Sequence, residues 1–246
     1  MKSIILTLSI ALFYLENAQS QNLNFGRLSR NDWSSIMKGN QPLMTKKSDN
    51  VELRGTPFVY DTYQKGVVIV SDSLHSQTDF KLKLNAEDNE IWIMNEKKEE
   101  LVLTDKRITG LDLIVANDTH SFRKVILPDV KTNPNRFVEV LYGGTNFTLI
   151  KHTEKLFEAA NAVDKGVAII GRNYDSYITT ISYYILTAKK VFKKIALKKS
   201  DIYKADLALV EKNRDAINAF CKEQKISNPL EEEDAVDLVE FIDKLK

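Results

Sequence analysis

Three histidines, one cysteine and a concentration of tyrosines are the side chains from which this sequence could build chemistry. His75, His120 and His152 fall in different segments, each beside a predicted turn. A zinc-type site needs such imidazoles to converge with a carboxylate or thiolate, and neither H-E-x-x-H nor C-x-x-C occurs. They read as solvent-exposed turn histidines, so no metal and no other cofactor is expected. No G-x-S-x-G elbow marks a nucleophile, although the members of a Ser/His/Asp triad need not be near in sequence. Cys221 lies on the apolar face of a predicted helix, which suits a buried, inert thiol.

Two acidic stretches invite a cation reading. Asn85-Ala86-Glu87-Asp88-Asn89-Glu90 offers oxygen ligands for calcium, but lacks the twelve-residue spacing and central Gly of an EF-hand loop. A polar hairpin turn is the better expectation. Glu231-Glu232-Glu233-Asp234 suits a helix N-terminus, where carboxylates complement the dipole. Tyr174, Tyr177, Tyr183 and Tyr184 are the candidate ligand-binding residues, since tyrosines can line a groove for sugar or peptide. The competing reading is strand residues packing across their neighbours. Asn117-Asp118-Thr119 and Asn146-Phe147-Thr148 match glycosylation acceptors, which matters in a eukaryotic source.

The elements that would position these groups are mostly strands. From Gly55 onward short alternating runs are separated by turn residues. Candidates are Val67–Val70, Phe80–Leu84, Ile91–Met94, Leu101–Leu103, Leu111–Val115, Ser121–Leu127, Arg136–Tyr142 and Phe147–Lys151. Period-two alternation and β-branched enrichment mark consecutive antiparallel strands. Connections this short leave no room for crossover helices, which argues against parallel pairing. Lys155–Val163 reads as a short helix or a loop. Tyr177–Leu186 and Val191–Leu197 then form a hairpin around Thr187–Lys190.

The last fifty residues change period. Ser200-Asp201 can start a helix. Leu209, Val210, Ala216, Ile217, Phe220 and Cys221 share one helical face. Asn228-Pro229-Leu230-Glu231 combines an N-cap, a first-turn Pro and a capping-box Glu. Ala235, Leu238, Val239, Ile242 and Leu245 make a second apolar stripe. The fold class expected is α+β. An antiparallel β-meander of about eight to ten strands, curled or barrel-like, is followed by two or three short C-terminal helices.

Lys+Arg number 35 against 34 Asp+Glu, well mixed along the chain. Nucleic-acid affinity comes from clustered cations, so a polyanion partner is not expected. A hydrophobic fraction of 43% and a charged fraction of 28% describe an ordinary folded chain. The N-terminus carries a different signal. Lys2 precedes the apolar run Ile4–Leu15, and Ala18-Gln19-Ser20 follows with small residues where a signal peptidase reads. The run is too short for a spanning helix, which needs ~20 residues. Residues 1–20 are therefore expected to be a signal peptide, with no Cys nearby for lipid anchoring and no later transmembrane segment. Residues 21–54 form a polar lead-in in which Trp33, Ile36 and Met37 could make one helical turn. Residues 55–198 form the β domain and 199–246 the helical segment packed on it. With one cysteine no internal disulfide can form, so an apolar core must hold the fold.

The order of several short motifs resembles a family of exported, functionally uncharacterised bacterial proteins. Gly55-Thr56-Pro57-Phe58 and Lys65-Gly66-Val67 open the similarity. Phe137-Val138-Glu139-Val140-Leu141 and the paired-Tyr strand Ser182-Tyr183-Tyr184-Ile185 follow, then a Lys-rich, acidic-capped helical tail. The resemblance covers about residues 55–246 and departs at Thr187–Lys190, where a Gly-containing turn would be expected. It implies a periplasmic, envelope or secreted location and supplies no activity. The functional expectation is an exported protein that binds or builds, with an envelope protein or a glycan as partner class. The alternative is a hydrolase on a β scaffold with its site in the strand-connecting loops.

Overall fold

The computed structural model describes residues 51–245, apart from 71–73, 76–79, 96, 105, 132 and 165–168. The expected signal peptide and the expected Trp33 turn lie outside the described residues. The fold is α+β, as the two periodicities require. Its strands are β1 (Glu52–Arg54), β2 (Gln64–Val70), β3 (Leu74–His75), β4 (Phe80–Asn85), β5 (Glu90–Met94), β6 (Glu100–Leu103) and β7 (Ile108–Val115). They continue as β8 (Asp118–Ile126), β9 (Asn135–Gly143), β10 (Phe147–Glu158), β11 (Val163–Asp164), β12 (Ile169–Ile170), β13 (Tyr174–Thr187) and β14 (Phe192–Ile195). Four helices close the chain: α1 (Lys199–Tyr203), α2 (Leu207–Lys212), α3 (Arg214–Glu223) and α4 (Glu232–Lys244).

Twelve strands make one open sheet in the order β1-β13-β10-β9-β8-β7-β2-β4-β5-β6, with β14 on β13 and β3 on β2, while β11 and β12 pair alone. That is more than the eight to ten strands expected, because β1 and β3 are only two or three residues long and show no alternation. The sheet is also mixed. β1 pairs parallel with β13, Glu52 opposite Tyr174 and Arg54 opposite Ser176. No crossover helix is needed, because β1 reaches β13 from the far end of the chain. The sheet thus begins inside the stretch read as lead-in.

Three further expectations are corrected. Lys155–Val163 is no helix: β10 runs on to Glu158, paired with β13 down to Ser176. The apolar face 209–221 is not continuous, because Asn213 separates α2 from α3 and its side chain donates to the Leu209 carbonyl (2.9 Å); Ala216 is exposed. Asn228 does not cap α4. α4 starts at Glu232 without a side-chain cap, and the preceding segment is tied instead to the entry of α1. There the Leu230 N–H donates to the Leu197 carbonyl (2.8 Å), and Asn228 Oδ1 accepts from the Lys199 N–H (3.4 Å). The β13–β14 turn closes without Gly, because Lys190 itself takes φ 59°.

Apolar residues gather in three places. Val68, Leu82, Ile91, Ile93, Leu111 and Leu113 fill the hollow of the curled N-terminal half. Phe147, Leu149 and Ile185 lie beneath Ile217, Leu238, Val239 and Ile242 of the helices. Alternation sends Val138, Ile150 and Tyr184 to the opposite face, with Leu127. The Asn85–Asn89 turn then reaches β9: Asn89 Oδ1 accepts from the Phe137 N–H (2.8 Å) and its amide donates to the Asn135 carbonyl (3.0 Å). The expected hairpin turn is therefore also a tie across the curl.

One carboxylate fastens the last helix. Asp243, buried on α4, accepts from the backbone N–H groups of Thr145 (3.0 Å), Asn146 (2.7 Å) and Phe147 (2.8 Å), and from the Tyr142 hydroxyl (3.2 Å). These donors form the β9–β10 turn. A Cβ on Gly144 would run into Asp243 Oδ2 and the Tyr142 ring, so only Gly fits.

Candidate functional site

Strand order places four polar side chains in one row. β13, β10, β9 and β8 are neighbours, and Lys151 stands opposite both Tyr183 and Glu139. Glu139 stands opposite Phe122, two residues from His120 and on the same face. Adjacent strands lie ~4.8 Å apart, close enough for each side chain to reach the next. His120 Nδ1 is 2.5 Å from Glu139 Oε1, and Lys151 Nζ is 3.7 Å from Glu139 Oε2. Glu232, in the first turn of α4, bends down to Lys151 (2.9 Å) and accepts from the Tyr183 hydroxyl (2.7 Å). The Tyr60 ring meets His120 edge-on at 5.6 Å.

This row divides the apolar core of the curled half from the core beneath the helices. Glu139 is buried there, a position that a carboxylate occupies only with partners. Burial and the Glu139 and Glu232 charges push the Tyr60 hydroxyl well above its ordinary range. Burial and the bond to Glu232 do the same to Tyr183. Both remain protonated donors at neutral pH. A histidine held by a carboxylate is the base-and-orienter arrangement of acid–base catalysis. The hollow beside Lys151 and His152, however, has room for about 10 Å³, one water at most. Comparison with known protein families, curated proteins and solved structures finds no match for the chain.

A larger cleft of about 250 Å³ lies among the helices, lined by Tyr203, Leu207, Val210, Glu211, Arg214 and Ile217. None of the four candidate tyrosines reaches it. Among the described residues no three His, Cys, Asp or Glu side chains are placed to hold a metal ion, and no helix is long and apolar enough to cross a membrane.

The four tyrosines do not share a groove. Alternation along β13 puts Tyr177 and Tyr183 on one face and Tyr174 and Tyr184 on the other. Tyr174 lies under the Arg54 guanidinium (3.7 Å), and Tyr177 packs edge-on to Phe157 (5.5 Å). The Tyr177 hydroxyl is pushed up to about 12 by burial and by Glu87. Tyr184 is buried and donates to Asp129 (2.8 Å), which also meets Lys194 (3.2 Å). Burial opposes ionisation of Asp129, but these two bonds outweigh it and hold its carboxyl below the usual range. Only Tyr183 joins the charged row.

His120 and His152 are not turn residues. Both stand within strands, and His152 is buried on the face opposite the row. Burial holds its pKa below the ordinary histidine value. The unfolded chain, with a histidine pKa near ~6.5, therefore binds the extra proton first on acidification. The stability this represents is complete above ~6.5 and is lost as pH falls toward the folded value. The melting temperature of the parent should thus drop more between pH 7 and pH 5 than that of His152→Gln. Equal drops would show that His152 does not carry the effect.

Proposed function

We propose that the chain is an exported protein of the cell envelope or extracellular space that acts by binding, and that the β10–β13 ribbon beyond Lys151 is its contact arm. One observation carries the binding reading. Leu156, Phe157, Ile178 and Ile181 are 58, 41, 39 and 47% exposed on this two-stranded ribbon. β9 pairs with β10 only as far as Lys151, so the ribbon stands clear of it beyond that point. Exposed apolar residues gathered in this way mark interaction surfaces. Lys2, the Ile4–Leu15 run and Ala18-Gln19-Ser20 support export, as does the resemblance to exported bacterial proteins. A protein or glycan of the envelope is the partner class.

Two measurements test this. The secreted chain should have the mass of a protein beginning at Gln21, and a full-length mass in the membrane fraction would refute export. A photo-cross-linking residue at position 156 should give a discrete adduct in the native envelope, and the same residue at the exposed Leu207 should not. No adduct at 156, or equal adducts at both, would refute the contact arm. The hydrolase alternative would have to rest on the His120–Glu139 pair, which stands within β8 and β9 rather than in the strand-connecting loops expected for it. It requires a hydrolytic activity that Glu139→Gln abolishes while the fold persists.

A further inference from the structure

The two outer edges of the ribbon differ in a way that its exposure alone does not explain. An unpaired strand edge offers a row of free N–H and C=O groups, and proteins normally guard it with charge, Pro or a bulge. The β10 edge beyond Lys151 carries Glu154, Lys155 and Glu158, although Lys155 Nζ donates across the ribbon to Thr179 Oγ1 (2.7 Å) and Glu158 pairs with Arg172. The β13 edge carries no such residues. Tyr177-Ile178-Thr179-Thr180-Ile181-Ser182 holds no charge and no Pro, and its register with β10 is continuous. Residues 178–181 are all exposed and all β-branched, the side chains best suited to a strand.

The same edge already accepts strands on either side of this stretch. β1 lies on it at Tyr174–Ser176 and β14 at Tyr183–Leu186. Between them, among the described residues, no strand pairs with it; Gly55, leaving β1, packs against the Tyr177 backbone and leaves Ile178–Ser182 open. Five residues of strand span ~17 Å. We infer that this gap is a β-addition site for a short extended peptide segment of another polypeptide, about five residues long and uncharged. A second copy of β13 does not fit, because that strand has 14 residues and β1 and β14 close the gap at its ends. In this mode backbone hydrogen bonds hold the peptide, and alternate side chains read the two faces. Ile178 and Ile181 point to opposite faces, so the segment would place apolar residues on both.

This inference rests on the contact-arm reading and is tested separately from it. A displayed library of random heptapeptides is panned against the chain from Gln21 to Lys246, and the selected peptide is synthesised. Expected are uncharged, β-branched sequences whose binding slows amide exchange within 178–182 at least tenfold. Thr180→Lys, at an exposed position, should weaken binding at least tenfold without changing the melting temperature, and Glu154→Lys on the β10 edge should not. N-methylation of alternate peptide residues should also abolish binding in one of its two phases, which side-chain docking would not show. Failure to select any peptide, or equal binding to the Thr180→Lys protein, overturns the inference. If position 156 still cross-links a partner in that case, the contact arm stands and only the peptide class is wrong.

Discussion

Asp243→Ala is expected to lower the melting temperature by roughly 6–20 °C. The substitution leaves three backbone N–H groups and the Tyr142 hydroxyl without their acceptor. A buried donor stripped of its partner costs ~1–3 kcal/mol. Water entering the new space satisfies some of the four, so a net loss of ~3–5 kcal/mol is reasonable. In a chain of this size each kcal/mol moves the midpoint by ~2–4 °C. In the parent the Tyr142 hydroxyl is a protonated donor to this carboxylate, since burial and the neighbouring Asp243 push it up to about 12. Asp243→Asn keeps one acceptor oxygen and should fall between parent and Ala. Gly144→Ala should destabilise from the other side of the same contact, by displacing the carboxylate. An Asp243→Ala protein that melts within ~2 °C of the parent would show that the turn does not depend on the helix.

Ending the chain before Asn228 should have a still larger effect, the loss of soluble, cooperatively folding protein. Ala235, Leu238, Val239 and Ile242 of α4 are almost wholly buried against Phe147, Leu149 and Ile185. The three larger side chains are together worth ~5–9 kcal/mol as an upper bound. Asp243 and Glu232 leave with them, so the β9–β10 turn loses its acceptor and Lys151 its nearer carboxylate. Domains are stable by only ~5–15 kcal/mol in total. Expression, size-exclusion profile and a thermal melt of the shortened chain decide the matter. A monomeric product that melts like the parent would mean that the stripe on α4 serves a partner rather than this sheet.

Much of the framework could be read from residue order, since strands two residues in period and helices near four leave different marks. Phe80-Lys81-Leu82-Lys83-Leu84 and the stripe on α4 behaved as their patterns require. The failures share a cause. β1 is three exposed residues whose only reason to be a strand is the edge of β13. β10 extends through Lys155 because β13 lies beside it, and local propensity carries no trace of a distant partner. The charged row was partly visible. Glu139 interrupts the apolar run Phe137-Val138-Glu139-Val140-Leu141, and a lone carboxylate inside such a strand signals a buried, partnered group. Its partners were not visible, because His120, Lys151 and Glu232 meet only through strand order. Tyr183 was named for the wrong company: it joins a carboxylate on α4, not the other three tyrosines.

The fastening of the β9–β10 turn by Asp243 also orders events in time. Glu52 waits for Tyr174, and Thr145 for Asp243. Loop closure over such separations slows folding, because the chain loses entropy before any contact compensates. During synthesis the N-terminal strands emerge first, yet the residue that fixes their neighbours' turn follows Thr145 by 98 residues. The chain therefore cannot lock early. The β9–β10 turn remains unlocked until α4 arrives, so the sheet gains this fastening in one late step rather than strand by strand.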